Sequence, residues 1–318
     1  MGIRVFTGLV TSNPGLSQPM TDTATSPAAD GAEPTLGKLR LSPYRLQGLS
    51  VAGEHTFVQV PELELSFDLG RCPRETLVSK TVAISHGHVD HIAGLHYYLC
   101  QRQRLNLGPA RLICHPALVQ PLRDLARASA TLDAHDVPVE IIPLNHNEQL
   151  RLHEGEDLFL RAFATRHTVP SLGYVVFERR KRLRKEVSHL PFERLEALQA
   201  RGEPVMERHD APLVCYTGDT HWGEHFQRRD VQRAKILITE CTFLEPGQLA
   251  HARLGKHLHL DHIVSLLEMV RADAVVLTHL PRRLPMARVR KLLDHAIPAR
   301  HRDRVFVLMD HAVNTARS

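Results

Sequence analysis

Six consecutive residues, His86-Gly87-His88-Val89-Asp90-His91, carry four groups able to bind a metal ion. Imidazole nitrogens and a carboxylate oxygen together suit Zn²⁺ and related divalent ions. Donors of the same kind recur downstream, each shortly after an apolar run: His167 in RHTVP, Asp219 in TGDT and His279 in LTHL. The donor set fits two ions. His86, His88 and His167 would give three nitrogens to one; Asp90, His91 and His279 would hold a second; Asp219 could bridge them. Each ion would keep an open position for a shared water, the mark of a catalytic site. Two ions about 3.5–4 Å apart would acidify that water and clamp the attacking and leaving oxygens of a displacement. Zn²⁺ is the expected metal, with Mn²⁺ or Fe as alternatives. A single histidine or aspartate after a strand is more often an ordinary loop or capping residue; the shared placement of all of them argues for one site.

For these side chains to meet, the elements that carry them must end at one edge of a scaffold. The run Thr81–Ser85 reads as a buried strand, and Ile92, Leu95 and Leu99 recur at helical spacing, so HGHVDH falls on a strand-to-helix loop. His167 follows an expected strand at Leu158–Phe163, Asp219 one at Leu213–Tyr216, and His279 one at Ala274–Thr278. A hairpin is expected from Leu49–Val60 and Leu63–Asp68, turning at Pro61-Glu62. Further strands are expected at Arg111–Cys114, Val137–Ile142, Leu150–Leu152, Tyr174–Phe177, Ile236–Thr239 and Val305–Met309. Helices are expected at Pro116–Ala128, Asp261–Arg271 and Met286–His295. Strands interleaved with helices in this way predict an α/β sandwich.

The chain has 318 residues, 43% of them hydrophobic and 5% aromatic, enough for one large α/β domain with a Leu/Val/Ala/Ile core. Residues 11–37 are rich in Ser, Thr, Pro, Ala and Asp without hydrophobic periodicity, so residues 1–38 are expected to be a disordered extension and 39–318 the folded domain. Five scattered cysteines without C-x-x-C spacing fit reduced thiols and a cytoplasmic location. No apolar stretch approaches membrane-spanning length, and no secretion signal is recognisable, so no membrane partner is expected. The formal charge of +5 is compatible with an anionic partner. Part of it lies in the run ERRKRLRKE (Glu178–Glu186), which opens a charged, helix-prone segment reaching Asp210. The segment reads as a protruding arm at about 178–210, whose cations Arg179, Arg180, Lys181 and Arg182 are candidates for substrate binding.

Several stretches together resemble a known family. HGHVDH with the later His, Asp and His is the signature of metallo-β-lactamase-fold hydrolases. GLSVAGEHT from Gly48, FDLGRCP from Phe67, SHGHVDHIAGL from Ser85, HTVPSLGYVV from His167, YTGDT from Tyr216, ECTFLE from Glu240 and HARLGKHLHLDHI from His251 are similar to tRNase Z, the tRNA 3′-processing endoribonucleases, in the short plant-type form. The resemblance covers about Leu39–Met309 and implies an αββα sandwich. It implies that Asp68 orients the histidine loop, and that Glu240 orients and charges His257, which protonates the departing 3′-oxygen. His259, two residues on, competes with His257 for that assignment. The implied reaction is in-line attack of a metal-bridging hydroxide on phosphorus. Arg282 or Arg283 would contact a phosphate. A homodimer, in which the arm of one subunit reaches RNA bound at the other, is also implied. One departure is visible: the family continues its last metal histidine as His-Phe-Ser-x-Arg-Tyr, and here the stretch is His279-Leu280-Pro281-Arg282-Arg283-Leu284.

Three activities therefore compete. The first is removal of the 3′ trailer from precursor tRNA or cleavage of another RNA. The second is hydrolysis of a small-molecule ester, thioester, lactone or cyclic phosphodiester. The third is RNA binding without catalysis. The basic arm and the Glu240–His257 pair favour the first, and the complete ligand set disfavours the third.

Overall fold

The computed structural model describes residues 35–316. Two seven-stranded sheets carry the site. The first runs in chain order through β1 (Gly37–Leu41), β2 (Tyr44–Val51), β3 (His55–Val60), β4 (Leu65–Phe67), β5 (Thr81–Ala83), β6 (Ala110–Cys114) and β7 (Val139–Pro143). The second comprises β8 (Gln149–Arg151), β9 (Leu158–Ala164), β10 (Leu172–Leu183), β11 (Met206–Tyr216), β12 (Ile236–Glu240), β13 (Ala274–Thr278) and β14 (Val305–Val307). In both sheets the first four strands pair antiparallel and the last three add in parallel.

Three apolar layers hold this together. Between the sheets, Phe67, Ala83 and Ile113 of the first meet Tyr174, Val176, Tyr216 and Val276 of the second. Outside the first sheet, Val82, Ile84 and Leu112 pack against the helices Leu95–Arg104 and Val119–Asp133 through Leu95, Leu99, Leu122 and Ala126. Outside the second, Val175, Leu237, Val275 and Leu277 pack against the helices Leu260–Met269 and Met286–Ala296 through Ile263, Leu267, Val289 and Leu293. The result is the expected αββα sandwich. Each fully buried aliphatic or aromatic side chain contributes roughly 1.5–3 kcal/mol. The parallel strands are covered on both faces and so read as unbroken apolar runs, which is why Ala274–Thr278 was predictable to the residue.

The structure corrects four expectations. The expected extension 1–38 lies mostly outside the described residues, but its last two residues already belong to β1. The expected strand Leu49–Val60 is two strands, β2 and β3, broken by a turn at Ala52–Glu54, where Gly53 takes φ 72°. The expected helix Pro116–Ala128 continues to Asp133. The arm is not mainly helical: β10 runs on through Arg182 and β11 begins at Met206, so a long antiparallel ribbon forms its stem and only Phe192–Ala200 is helix. The ladder favours this, since opposite charges face each other across the ribbon, Arg179 opposite Asp210 and Arg182 opposite Glu207. All five cysteines are buried and free. No helix among the described residues is long and apolar enough to cross a membrane.

Candidate metal centre

Strands of both sheets end at one edge, and the expected donors collect there. β5 delivers His86, His88, Asp90 and His91; the loop after β9 delivers His167; those after β11 and β13 deliver Asp219 and His279. His86 Nε2 lies 3.0 Å from His88 Nδ1, and His167 Nε2 lies 3.2 Å from the same atom. In a second group, His279 Nε2 is 3.3 Å from Asp90 Oδ2, and His91 Nε2 is 3.7 Å from it. Asp219 Oδ2 sits between the groups, 3.2 Å from His279 Nε2, 3.3 Å from His91 Nε2 and 3.9 Å from His86 Nε2. All seven side chains are buried except that of His88, which is partly exposed.

A lattice of hydrogen bonds aims these donors. The carboxylate of Asp68 is fully buried. It accepts from the Ser85 backbone N–H at 2.6 Å, the Ser85 hydroxyl at 2.7 Å, the Tyr216 hydroxyl at 2.6 Å and His91 Nδ1 at 2.8 Å. With Nδ1–H so held, His91 turns Nε2 toward the site. The β2–β3 turn serves the second group: Gly53 N–H donates to Asp90 Oδ2 at 2.9 Å, and the Ser50 hydroxyl accepts from the His279 backbone N–H at 2.8 Å. Asp68 and His279 both take left-handed backbone conformations (φ 58° and 55°), uncommon outside glycine and concentrated at functional sites. At Gly70 a Cβ would lie 1.7 Å from the Asp90 carbonyl oxygen, so only glycine lets the two loops cross.

Beside the donors stands an acid–base pair. Glu240, at the end of β12, is 1% exposed and accepts from His257 Nδ1 at 2.8 Å, Thr220 N–H at 2.8 Å, Leu258 N–H at 3.1 Å and the Thr242 hydroxyl at 2.5 Å. Burial works against charge on His257, but Glu240 more than offsets it and raises the imidazole to about 9. His259 is elsewhere: its Nδ1 accepts from Asp261 N–H and its Nε2 meets the Glu245 carbonyl, so it caps the helix Leu260–Met269. Of the two histidines, His257 is the one at the site.

The donors fit metal ions. His91 Nε2 is buried without a hydrogen-bond partner, its approach to Asp219 being too poorly aligned for one. Such an orphaned atom costs roughly 1–3 kcal/mol unless something coordinates it. Burial, with His91 next, lowers His86 to about 2, and burial also lowers His88 and His167. These imidazoles are neutral and have lone pairs to give. His91 is the exception: burial opposes its charge, but Asp219 and Asp68 together raise it well above the usual histidine range. Without an ion, that favours a second proton on Nε2, whose place a bound metal would take.

The remaining candidates lie on the ribbon and on the loop after β13. Arg179 pairs with Asp210 at 2.9 Å, Arg180 with Glu178 at 2.6 Å and Arg182 with Glu207 at 2.7 Å, while Lys181 is exposed on the same ribbon. Arg282, on the loop after β13, pairs at 2.8 Å with Glu54 of the β2–β3 turn, and Arg283 beside it is exposed. Sequence reasoning missed Ser50, Gly53, Ser85, Tyr216, Thr242 and Lys256. Thr242 joins the acid–base pair to the metal set, its hydroxyl lying 2.9 Å from His279 Nδ1. The Lys256 ammonium donates to the His167 carbonyl at 2.7 Å. Only Gly53 left a signal, as an isolated glycine inside a strand pattern.

Fold and site together define a class. Residues 66–280 match the family described as "Beta-lactamase superfamily domain". The fold is also that of the metallo-beta-lactamase fold protein YhfI from Bacillus subtilis, with a TM-score of 0.54 and 17% identity over 81% of this chain and 92% of that one. Within that superfamily the chain belongs to the tRNase Z family. It is 35% identical over 256 residues to "tRNase Z TRZ2, chloroplastic" of Arabidopsis thaliana, covering 80% of this chain and 72% of the relative. It is 30% identical over 273 residues to "tRNase Z TRZ1" of the same plant, covering 85% and 96%.

Proposed function

We propose that this chain is a metal-dependent endoribonuclease that removes the 3′ trailer of precursor tRNA, using two divalent ions, Zn²⁺ foremost. The observation that carries the reading is the buried Glu240–His257 pair set against two three-donor clusters with Asp219 between them. The names of the relatives support the RNA substrate. His86, His88 and His167 would hold one ion and Asp90, His91 and His279 the other. Bound there, such ions supply an acidified water and stabilise charge developing on phosphate oxygens. Asp68 keeps the His91 proton on Nδ1 and so its Nε2 lone pair toward the site. Glu240 accepts from His257 Nδ1, which leaves Nε2, on the far side of the ring, to hold the transferable proton. His257 gives it to the departing 3′-oxygen, which leaves as a hydroxyl. The proposal extends to a cytoplasmic homodimer, for which sedimentation would return about twice 35.8 kDa.

The test is cleavage of a 3′-extended precursor tRNA by the purified protein, with chelator and His88→Ala controls, and with bis-p-nitrophenyl phosphate in parallel. Cutting just after the discriminator base that both controls abolish supports the reading. Hydrolysis of the diester without any cutting of the precursor overturns it in favour of a small-molecule hydrolase on the same centre.

A further inference from the structure

One set of arginines has no part in that chemistry. At the root of the arm, on the second sheet, a cavity of about 250 Å³ is lined by Arg161, Asp210, Arg229, Asp230 and Arg233, among others. Its charges do not balance. Asp210 is shared between Arg161 at 2.7 Å and Arg179 at 2.9 Å, and Asp230 between Arg161 at 3.3 Å and Arg228 at 2.9 Å. Three guanidiniums thus hold two carboxylates. Arg229 and Arg233 add two more positive charges, both exposed and neither paired with a carboxylate among the described residues. They stand four residues apart at the helical turn Arg229–Gln232 and its C-cap, a spacing at which like charges repel. Arg161 is fixed flat against Phe177, its guanidinium 4.4 Å from the ring centre.

The positive surface continues toward the metal centre. A second, more open cavity of about 620 Å³ is lined by Thr165, Arg166, His225 and Arg228, with the single carboxylate Glu224 among the rest. Arg166 immediately precedes His167. Its backbone N–H donates to Thr220 Oγ1 at 3.0 Å and its carbonyl accepts from His221 N–H at 2.8 Å, which pins it beside Asp219. Its guanidinium, too, has no carboxylate partner among the described residues. From Arg161 to His167 the extended chain covers roughly 20 Å at about 3.3 Å per residue, a reach of several nucleotides.

We propose that Arg166, Arg229 and Arg233, backed by Arg161, form a track that seats successive backbone phosphates of the RNA substrate outside the metal centre. Guanidinium forks match phosphate oxygens. Contacts of this kind position the chain without reading its sequence, and their strength falls with salt. The inference rests on the RNA reading above.

The test compares wild type, Arg229→Gln/Arg233→Gln, Arg166→Gln and the control Arg300→Gln, whose arginine is exposed and paired with Glu268 away from the track. KM and kcat for precursor tRNA are measured across a salt series, after equal melting temperatures have shown that each variant folds. The double variant is expected to raise KM about 10-fold or more at low salt with kcat kept. Its slope of log KM against log salt should fall by roughly 1.4, about 0.7 for each single-strand phosphate that the protein no longer neutralises. Arg166→Gln should lower the slope by about half as much, and Arg300→Gln should match wild type. If wild type cuts the precursor and the double variant keeps its KM and slope, the track is overturned while the RNA reading stands. If the variants lose only the binding of inorganic phosphate, the cavity is a free-anion site and the track is likewise overturned. Failure of wild type itself to cut the precursor would overturn the RNA reading instead.

Discussion

Replacing Asp68 by asparagine should uncouple one metal site without unfolding the protein. The bond from Ser85 N–H to Oδ1 (2.6 Å) can persist. At Oδ2, however, the Ser85 hydroxyl (2.7 Å), the Tyr216 hydroxyl (2.6 Å) and His91 Nδ1 (2.8 Å) would all meet an amide NH₂, itself a donor. The hydroxyls can rotate to accept. His91 can accept only by moving its proton to Nε2, the nitrogen that must face the ion. Loss of such an orienting partner lowers metal affinity about 10- to 100-fold, or roughly 1.4–2.7 kcal/mol. The stability cost should be about 1–3 kcal/mol, that of a mismatched buried polar group. Competition against a chromophoric chelator resolves the two binding steps, and urea unfolding gives the stability. One binding constant should weaken and the other hold. If both keep their wild-type values in Asp68→Asn, the hydrogen bond does not set the tautomer of His91 and the argument fails.

Three further outcomes follow from the same geometry. His257→Ala should slow precursor cleavage about 10²–10⁴-fold while sparing hydrolysis of a p-nitrophenyl diester, whose leaving group needs no proton; equal losses on both substrates would refute the general-acid role. In the metal-free protein His257 is raised from 6.5 to about 9, so its stabilisation should be complete below pH 6.5 and lost as pH rises through about 9. His257→Gln should flatten that part of an unfolding-versus-pH curve, and an unchanged curve would refute the ion pair. Gly70→Ala should cost at least the ~1–3 kcal/mol of an overfilled core and release metal, because its Cβ would stand 1.7 Å from the Asp90 carbonyl oxygen; a wild-type melting temperature and metal content would contradict the close crossing.

The convergence of the donors was legible because each follows an apolar run, and runs such as Thr81–Ala83 and Ala274–Thr278, buried along their whole length, are the plainest local pattern. The supporting polar residues were not. Ser85, Tyr216 and Thr242 look like ordinary strand and loop residues until Asp68, Glu240 and His279 are brought to them from distant parts of the chain. The β2–β3 turn was missed because the isolated Gly53 was read through as part of one strand, although that turn supplies the N–H that holds Asp90. The arm was misread for the opposite reason. Its Arg and Lys side chains favour helix in isolation, but cross-strand carboxylates such as Asp210 and Glu207 pair with them in the ribbon. Spacing after Gly255-Lys256 favoured His257 over His259 without securing it, and the folded chain shows that His257 is the one that meets Glu240.

The two sheets follow one plan: in each, three antiparallel pairings give way to three parallel ones. Just past the strand where the direction changes, each sheet places an aspartate, Asp68 after β4 and Asp219 after β11. The two carboxylates flank opposite nitrogens of a single imidazole, His91, at 2.8 and 3.3 Å. Neither half of the molecule owns a whole ligand set, because the first supplies four of the seven donors and the second the other three. Metal loading of the proposed centre would therefore act as an assembly check. Only a chain whose halves have docked in register brings all seven donors together, and a misjoined or half-folded chain would show itself as metal-poor.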